Sequence, residues 1–243
     1  MANRQRAEAR RKAQSKAGRS SGEGGTAAGK LWMWIAIGVV ILLVGGIAFF
    51  ASRDDSVATA PIATDATGSK IPDSQPVTVT GEPLETFSAT VGDPAIGVEA
   101  PTLTGLNFTG DEVKADPADG PYMLVFLAHW CPHCNTEVPR LLDWKNSGAV
   151  PADLNVIGVA TAVSSSSANY PPSTWFSNKG WSWPVLVDEK QGKGAAGKAA
   201  QAFGASGWPY FVIVGADGLV KVRVSGEVAA SELQTIVDAA LAS

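Results

Sequence analysis

Both cysteines of this 243-residue chain fall in one segment, His129-Trp130-Cys131-Pro132-His133-Cys134, and so do both histidines. That spacing of sulfurs admits three chemistries. As a redox pair, a thiolate at Cys131 would be stabilised by the unsatisfied N–H groups and dipole of a helix start. Cys134, one turn further in, would be more buried and placed to close a bond back to it. A protonated His133 would add positive charge beside the sulfur. As a structural disulfide, so tight a ring would remove little chain entropy, and Pro132 and His133 would have no part in it. As a metal site, two thiolates with His129 or His133 would suit copper or zinc, although neighbouring residues rarely converge on one ion. The redox reading is preferred.

The elements that must position these residues are legible around them. Tyr122 to Ala128 is a continuous apolar run, as in a strand buried on both faces. Pro132 to Asn146 reads as a helix with Val138, Leu141 and Leu142 on one face, and Leu154 to Ala160 as a second buried strand. A polar loop, Ser164 to Ser167, leads through Pro171-Pro172 to a short helix from Ser173 to Gly180. Pro184 to Val187 is a short strand, and Ala195 to Phe203 a helix closed by Gly204. Tyr210–Val214 and Val220–Val224 flank the hairpin signal Ala216-Asp217-Gly218. In the second of these, Val220, Val222 and Val224 alternate with Lys221 and Arg223, which predicts one wet face. A capping-box pattern, Ser231-x-x-Gln234, opens a last helix with Leu233, Ile236, Val237, Ala240 and Leu241 on its apolar face. The order predicts an α/β fold with a mixed central sheet, parallel through the crossover and antiparallel at the hairpin, with helices on both faces. No internal repeat is present.

Charge divides the chain further. Residues 1–30 carry eight Lys/Arg against two Asp/Glu, residues 31–51 carry none, and residues 52–243 carry eleven against twenty-one. An acidic main body argues against a nucleic-acid partner, which would need a basic face. Leu31 to Ala51 would form an apolar helix roughly 31 Å long, enough to cross a bilayer core, with Trp32 and Trp34 at one interface. A cleaved signal peptide would have a shorter apolar stretch, and its one convenient site, Ala58-Thr59-Ala60, is followed by Pro61. No cysteine follows the run to carry a lipid. The basic residues before it put the N-terminus in the cytoplasm and the bulk of the chain outside. The expected organisation is a basic cytoplasmic tail (1–30), a transmembrane helix (31–51), a disordered Pro/Thr/Ala-rich linker (52–94) and a folded domain (95–243), in a bacterial cell envelope.

Trp130-Cys131-x-x-Cys134 after a buried strand resembles the signature of the thioredoxin superfamily. Pro139, five residues after Cys134, is similar to the proline that kinks that family's active-site helix. Gly204-Ala-Ser-Gly207-Trp208-Pro209 resembles its Gly-x-x-Gly-x-cis-Pro stretch, and Gly226 and the last helix fit too. The resemblance covers residues 95–243 and implies a thioredoxin fold. It implies an exposed Cys131 that forms the mixed disulfide with a partner protein and a Cys134 that resolves it. The redox-active disulfide Cys131–Cys134 would be the only redox group, with no further cofactor and no metal. Pro209, if cis, would set the backbone of Trp208 beside Cys131, ready to pair with an extended substrate segment. Trp130 and Trp208 are candidate substrate-binding residues; Trp175, Trp181 and Trp183 either extend that apolar groove or, the preferred reading, pack the core.

Two subfamilies compete. Gly97-Val98-Glu99-Ala100-Pro101, Glu137 and the anchor resemble the membrane-tethered thiol–disulfide oxidoreductases, which include the reductants of cytochrome c maturation. Cys-Pro-His-Cys resembles the periplasmic disulfide oxidases, whose central histidine stabilises the reduced form. Thioredoxin's buried acid is replaced by Val125, so Glu137 is the candidate proton acceptor for Cys134; the alternative is a solvated helix-face carboxylate. The direction of exchange stays open. The expected partners are protein thiols and disulfides outside the membrane and a membrane redox partner, and the protein is expected to be a monomer. A copper-binding chaperone and a redox-inactive binding module are the alternatives. The Thr-x-x-Cys pattern of a peroxidase is absent, since Leu127, Ala128, His129 and Trp130 precede Cys131.

Overall fold

A computed structural model describes residues 71–88 and 92–243. The expected tail, membrane span and first part of the linker lie outside the described residues. Among the described residues no helix is long and apolar enough to cross a membrane.

The elements run β1 (Thr78–Thr80), β2 (Thr102–Leu106), β3 (Glu112–Ala115), β4 (Tyr122–Leu127), α1 (Pro132–Asn146), β5 (Asn155–Ala160), α2 (Pro172–Asn178), β6 (Val185–Val187), α3 (Lys198–Ala202), β7 (Tyr210–Val214), β8 (Val220–Ser225) and α4 (Ala230–Leu241). The main sheet has the order β6-β5-β4-β7-β8. β4 pairs parallel with β5 and antiparallel with β7, and β7 pairs antiparallel with β8. A central strand has no wet face, and every residue of β4 is buried. Tyr122, Leu124 and Phe126 enter one core with α3 and the small sheet β1-β2-β3. Met123, Val125 and Leu127 enter a second core with α1, α2 and α4. The thioredoxin-like α/β fold with a mixed sheet is therefore present. One face is covered by α3 and three strands rather than by helices alone.

Three expectations need correction. Residues 52–94 were expected to be a disordered linker, yet β1 lies within them, and Val77 and Leu84 are buried at 2% and 6% exposure. β1 pairs antiparallel with β2, and the Leu84 N–H donates to the Ala202 carbonyl at 2.8 Å. Four residues between Pro76 and Gly81 are too few to establish a period; pairing across the fold makes three of them a strand.

Arg223 was expected on a wet face and is buried. The β7–β8 ladder is irregular at Ile213/Val214, so Val220 joins one core while Val222 and Val224 pack on the other. A one-residue slip inverts which side chains face inward. Arg223 therefore points beneath the segment before β2, where its Nε donates to Asp93 Oδ2 at 2.8 Å and Nη1 to the Glu85 carbonyl at 2.7 Å. The Arg223 hydrogen bond holds the Asp93 carboxyl below its usual range. Removing one partner of such a buried pair costs about 3–5 kcal/mol.

The capping box does not form. α4 starts from Ala229 without a side-chain cap, and Gln234 Oε1 instead accepts from Trp144 Nε1 at 2.6 Å.

Candidate active site

β4 delivers the motif to the start of α1. Cys131 is the N-cap residue, extended at φ −73° and ψ 123°, and Pro132 occupies the first turn, where a missing N–H costs nothing. The Cys131 carbonyl accepts from the Asn135 backbone at 3.1 Å and from its side-chain amide at 3.0 Å, locking the turn. Both cysteines are free thiols, and they differ in access: Cys134 is 0% exposed and Cys131 5%. Burial pushes the Cys134 thiol well above its usual value, and negative charge on Cys131 or Glu137 would push it further.

The exposed Cys131 expected from the resemblance is corrected here. The Trp208 carbonyl lies 3.4 Å from its Sγ and the residue packs within the second core. The Trp208–Pro209 peptide is cis, and the Pro209 carbonyl accepts from the Gly226 N–H at 2.8 Å. Pro209 begins the turn into β7, so the motif, the proline loop and the loop after β8 converge.

The histidines separate. His129 is buried, with Nδ1 donating to the Ala168 carbonyl at 2.8 Å and Nε2 accepting from the Ser164 N–H at 3.3 Å. Burial pulls its pKa down, which keeps the ring neutral. With both nitrogens occupied, His129 offers no lone pair to a metal. His133 is exposed, and its Nδ1 lies 2.7 Å from Glu227 Oε1.

Glu137 does not sit on a solvated helix face. It is 0% exposed, one turn beyond Cys134 on α1. Its Oε2 accepts from the Val228 N–H at 3.2 Å and from Arg140 Nη1 at 3.3 Å, while Oε1 has no partner. Burial raises its pKa; the Val228 N–H and Arg140 oppose that shift.

The tryptophans divide as well. Trp130 is half-buried and its Nε1 donates to the Ala162 carbonyl at 2.7 Å; Trp208 is half-buried between the two cores. Trp175 is 4% exposed and bonded to Asn135 Oδ1 at 2.9 Å. Ring contacts run from Trp175 through Phe176, Trp181 and Trp183 to Trp144, so Trp175, Trp181 and Trp183 pack the core. Gly158 makes room for this stack, since a Cβ there would come within 2.9 Å of the Trp181 ring. Pro139 lies inside α1 and cannot donate to the Asn135 carbonyl four residues back; Lys179 Nζ takes that carbonyl at 3.0 Å.

With this geometry established, the AhpC/TSA family matches residues 91–223, more than half of the chain. The chain belongs to the AhpC/TSA family, within the thioredoxin superfamily. No curated protein matches it in sequence. Among solved structures it is similar to a thioredoxin-family thiol:disulfide interchange protein from Chlorobium tepidum TLS, at 23% identity and TM-score 0.47 over 58% of this chain and 94% of that one. It is also similar to StoA from Bacillus subtilis, at 16% and 0.47 over 59% and 99%. A DsbF homologue from Corynebacterium diphtheriae matches at 18% and 0.49 over 64% and 98%.

Sequence reasoning missed three residues of the arrangement around the two cysteines. Asn135 ties Cys131 to Trp175, Arg140 contacts Glu137, and Glu227 contacts both His133 and Arg140. Glu227 follows Gly226, whose positive φ of 100° turns the chain after β8. That glycine was the one available signal that the next residue swings back towards the motif.

Proposed function

We propose that this chain is a membrane-anchored, extracytoplasmic thiol–disulfide oxidoreductase that exchanges disulfides with protein substrates through Cys131 and Cys134. One observation carries the reading: two free thiols at the start of one helix, the first retaining slight access and the second fully enclosed above a buried carboxyl.

In the reducing direction the Cys131 thiolate attacks a substrate disulfide. One substrate sulfur leaves as thiolate and a mixed disulfide forms. Cys134 then loses its proton and attacks Cys131 Sγ, expelling the second substrate thiolate and closing the Cys131–Cys134 bond. The pair gives up two electrons and the substrate gains them; oxidation of a substrate dithiol is the same sequence reversed. Ionised Glu137 is the acceptor for the Cys134 proton, and its unpaired oxygen is where that proton is taken up. Trp130 and Trp208 border the approach to Cys131. The Trp208 carbonyl beside the sulfur supports docking of an extended segment along that backbone.

The copper-chaperone reading is less well supported. His129 has no free nitrogen, and His133 Nδ1 faces Glu227 rather than the sulfurs.

The test is insulin reduction and refolding of reduced ribonuclease with the full chain and with Cys131→Ser. Activity in either assay, lost in the variant, is expected, and the assay that responds gives the direction. Wild-type rates in Cys131→Ser would overturn the proposal. Fractionation after deleting residues 31–51 tests the anchor; the protein is expected to leave the membrane fraction.

A further inference from the structure

Three successive residues after β8 touch both the cis-proline loop and α1. The Gly226 N–H donates to the carbonyl of cis-Pro209 at 2.8 Å. The Glu227 carboxylate lies 2.7 Å from His133 Nδ1 through Oε1 and 2.7 Å from Arg140 Nη1 through Oε2. The buried Val228 donates its N–H to Glu137 at 3.2 Å. His133, Glu227, Arg140 and Glu137 thus form a continuous chain of contacts. It runs from the residue two after Cys131 to the carboxyl one turn beyond Cys134.

We infer that Glu227 is a positioning residue for the exchange reaction, holding His133 and Arg140 together so that the charge near Cys131 is tied to the charge near Cys134. This rests on the function proposed above. His133 and Arg140 are the charged groups in contact with Glu227 among the described residues, and Glu137 stands behind Arg140. When His133 is protonated the chain alternates cation, anion, cation, anion. Glu227 then cancels part of the imidazolium field that would otherwise favour the Cys131 thiolate. It also holds Arg140 at a contact shorter than the one Arg140 makes to Glu137, 2.7 Å against 3.3 Å. Glu227 therefore restrains both ends at once. Its own carboxyl is held below the usual range, chiefly by the His133 hydrogen bond, so it stays ionised.

Neutralising Glu227 should release both restraints. Under conditions that protonate His133 in both proteins, its uncancelled charge would stabilise the reduced pair, and Arg140, committed to Glu137, would keep that carboxylate ionised to lower pH. The test measures the equilibrium of the dithiol with glutathione in the full chain, and the pH profile of the resolving step, for wild type and Glu227→Gln. The equilibrium constant for oxidising the pair is expected to fall about 3- to 10-fold, tenfold being about 30 mV for two electrons. The resolving step should hold its rate to lower pH. In a His133→Ala background, Glu227→Gln should leave the equilibrium unchanged, whereas an equal shift there would overturn the inference. Glu227→Asp keeps the charge with a shorter reach, should fall between wild type and Glu227→Gln, and serves if the amide variant folds poorly. An unchanged equilibrium and pH profile in Glu227→Gln, with exchange still lost in Cys131→Ser, would overturn the inference alone. Exchange surviving Cys131→Ser would overturn the proposed function itself.

Discussion

Two carboxyls lie buried in this domain, one on each side of the main sheet, and they are held in opposite ways. Asp188, after β6, is 1% exposed and both its oxygens are used. Oδ2 accepts from Thr161 Oγ1 at 2.7 Å and the Ala200 N–H at 3.2 Å, and Oδ1 from the Ala199 N–H at 2.8 Å. It closes the start of α3, where Gly197 provides no side-chain cap. Glu137 is as deeply buried but has one bare oxygen, one backbone donor and a long contact to Arg140. Burial raises both pKa values. A satisfied buried carboxyl is a structural clamp, whereas an under-satisfied one, one helical turn from the sulfur proposed to resolve the mixed disulfide, is the place proposed to take its proton.

The largest effect that could break this contrast is on stability. Asp188→Ala strands one hydroxyl and two N–H groups, and should cost about 3 kcal/mol or more, lowering Tm by about 6–12 °C. Exchange per folded molecule should be unchanged. A variant as stable as wild type in denaturant titration would remove Asp188 from its role.

Glu137→Gln should do the reverse. Its stability should stay within about 1 kcal/mol of wild type, while resolution of a trapped mixed disulfide slows roughly ten- to hundredfold. An unchanged single-turnover rate would make Glu137 a packing residue like its counterpart.

Gly197→Ala sharpens the clamp from the other side. A Cβ there would run into the Asp188 carboxylate, and the expected loss is about 1–3 kcal/mol, smaller than for deleting the carboxyl. The comparison of the two midpoints checks it.

The smallest effect is a tilt with pH. A carboxyl whose folded pKa is raised contributes stability below its unfolded value and loses it as pH rises through the folded one. Glu137→Gln lacks that loss, so its stability relative to wild type should climb as pH rises above the ordinary carboxylate range. Asp93 behaves oppositely: held down by Arg223, it contributes above its usual pKa, and that contribution fades on acidification. Parallel unfolding curves for wild type and Glu137→Gln across pH would contradict the raised value.

Much of this was legible because the signals were local. β4 read as a buried strand since its six successive apolar residues leave no side for water. Cys131 was placed at a helix start by the strand before it and Pro132 after it. The wet face assigned to β8 failed, since one ladder irregularity moved Arg223 inward. β1 was hidden in a proline-rich stretch because a three-residue strand has no period of its own.

The two central strands as apolar segments, the helix that begins at Pro132 and the short spacing of two sulfurs were determined by the sequence alone, because periodicity, turn chemistry and short spacing act between near neighbours. Which carboxyl is bare and which satisfied, which histidine is sealed, and that Glu227 reaches His133 from 94 residues away were decided only by tertiary structure. Those properties depend on which distant backbone groups arrive beside a side chain, and no local pattern encodes an arrival from across the fold.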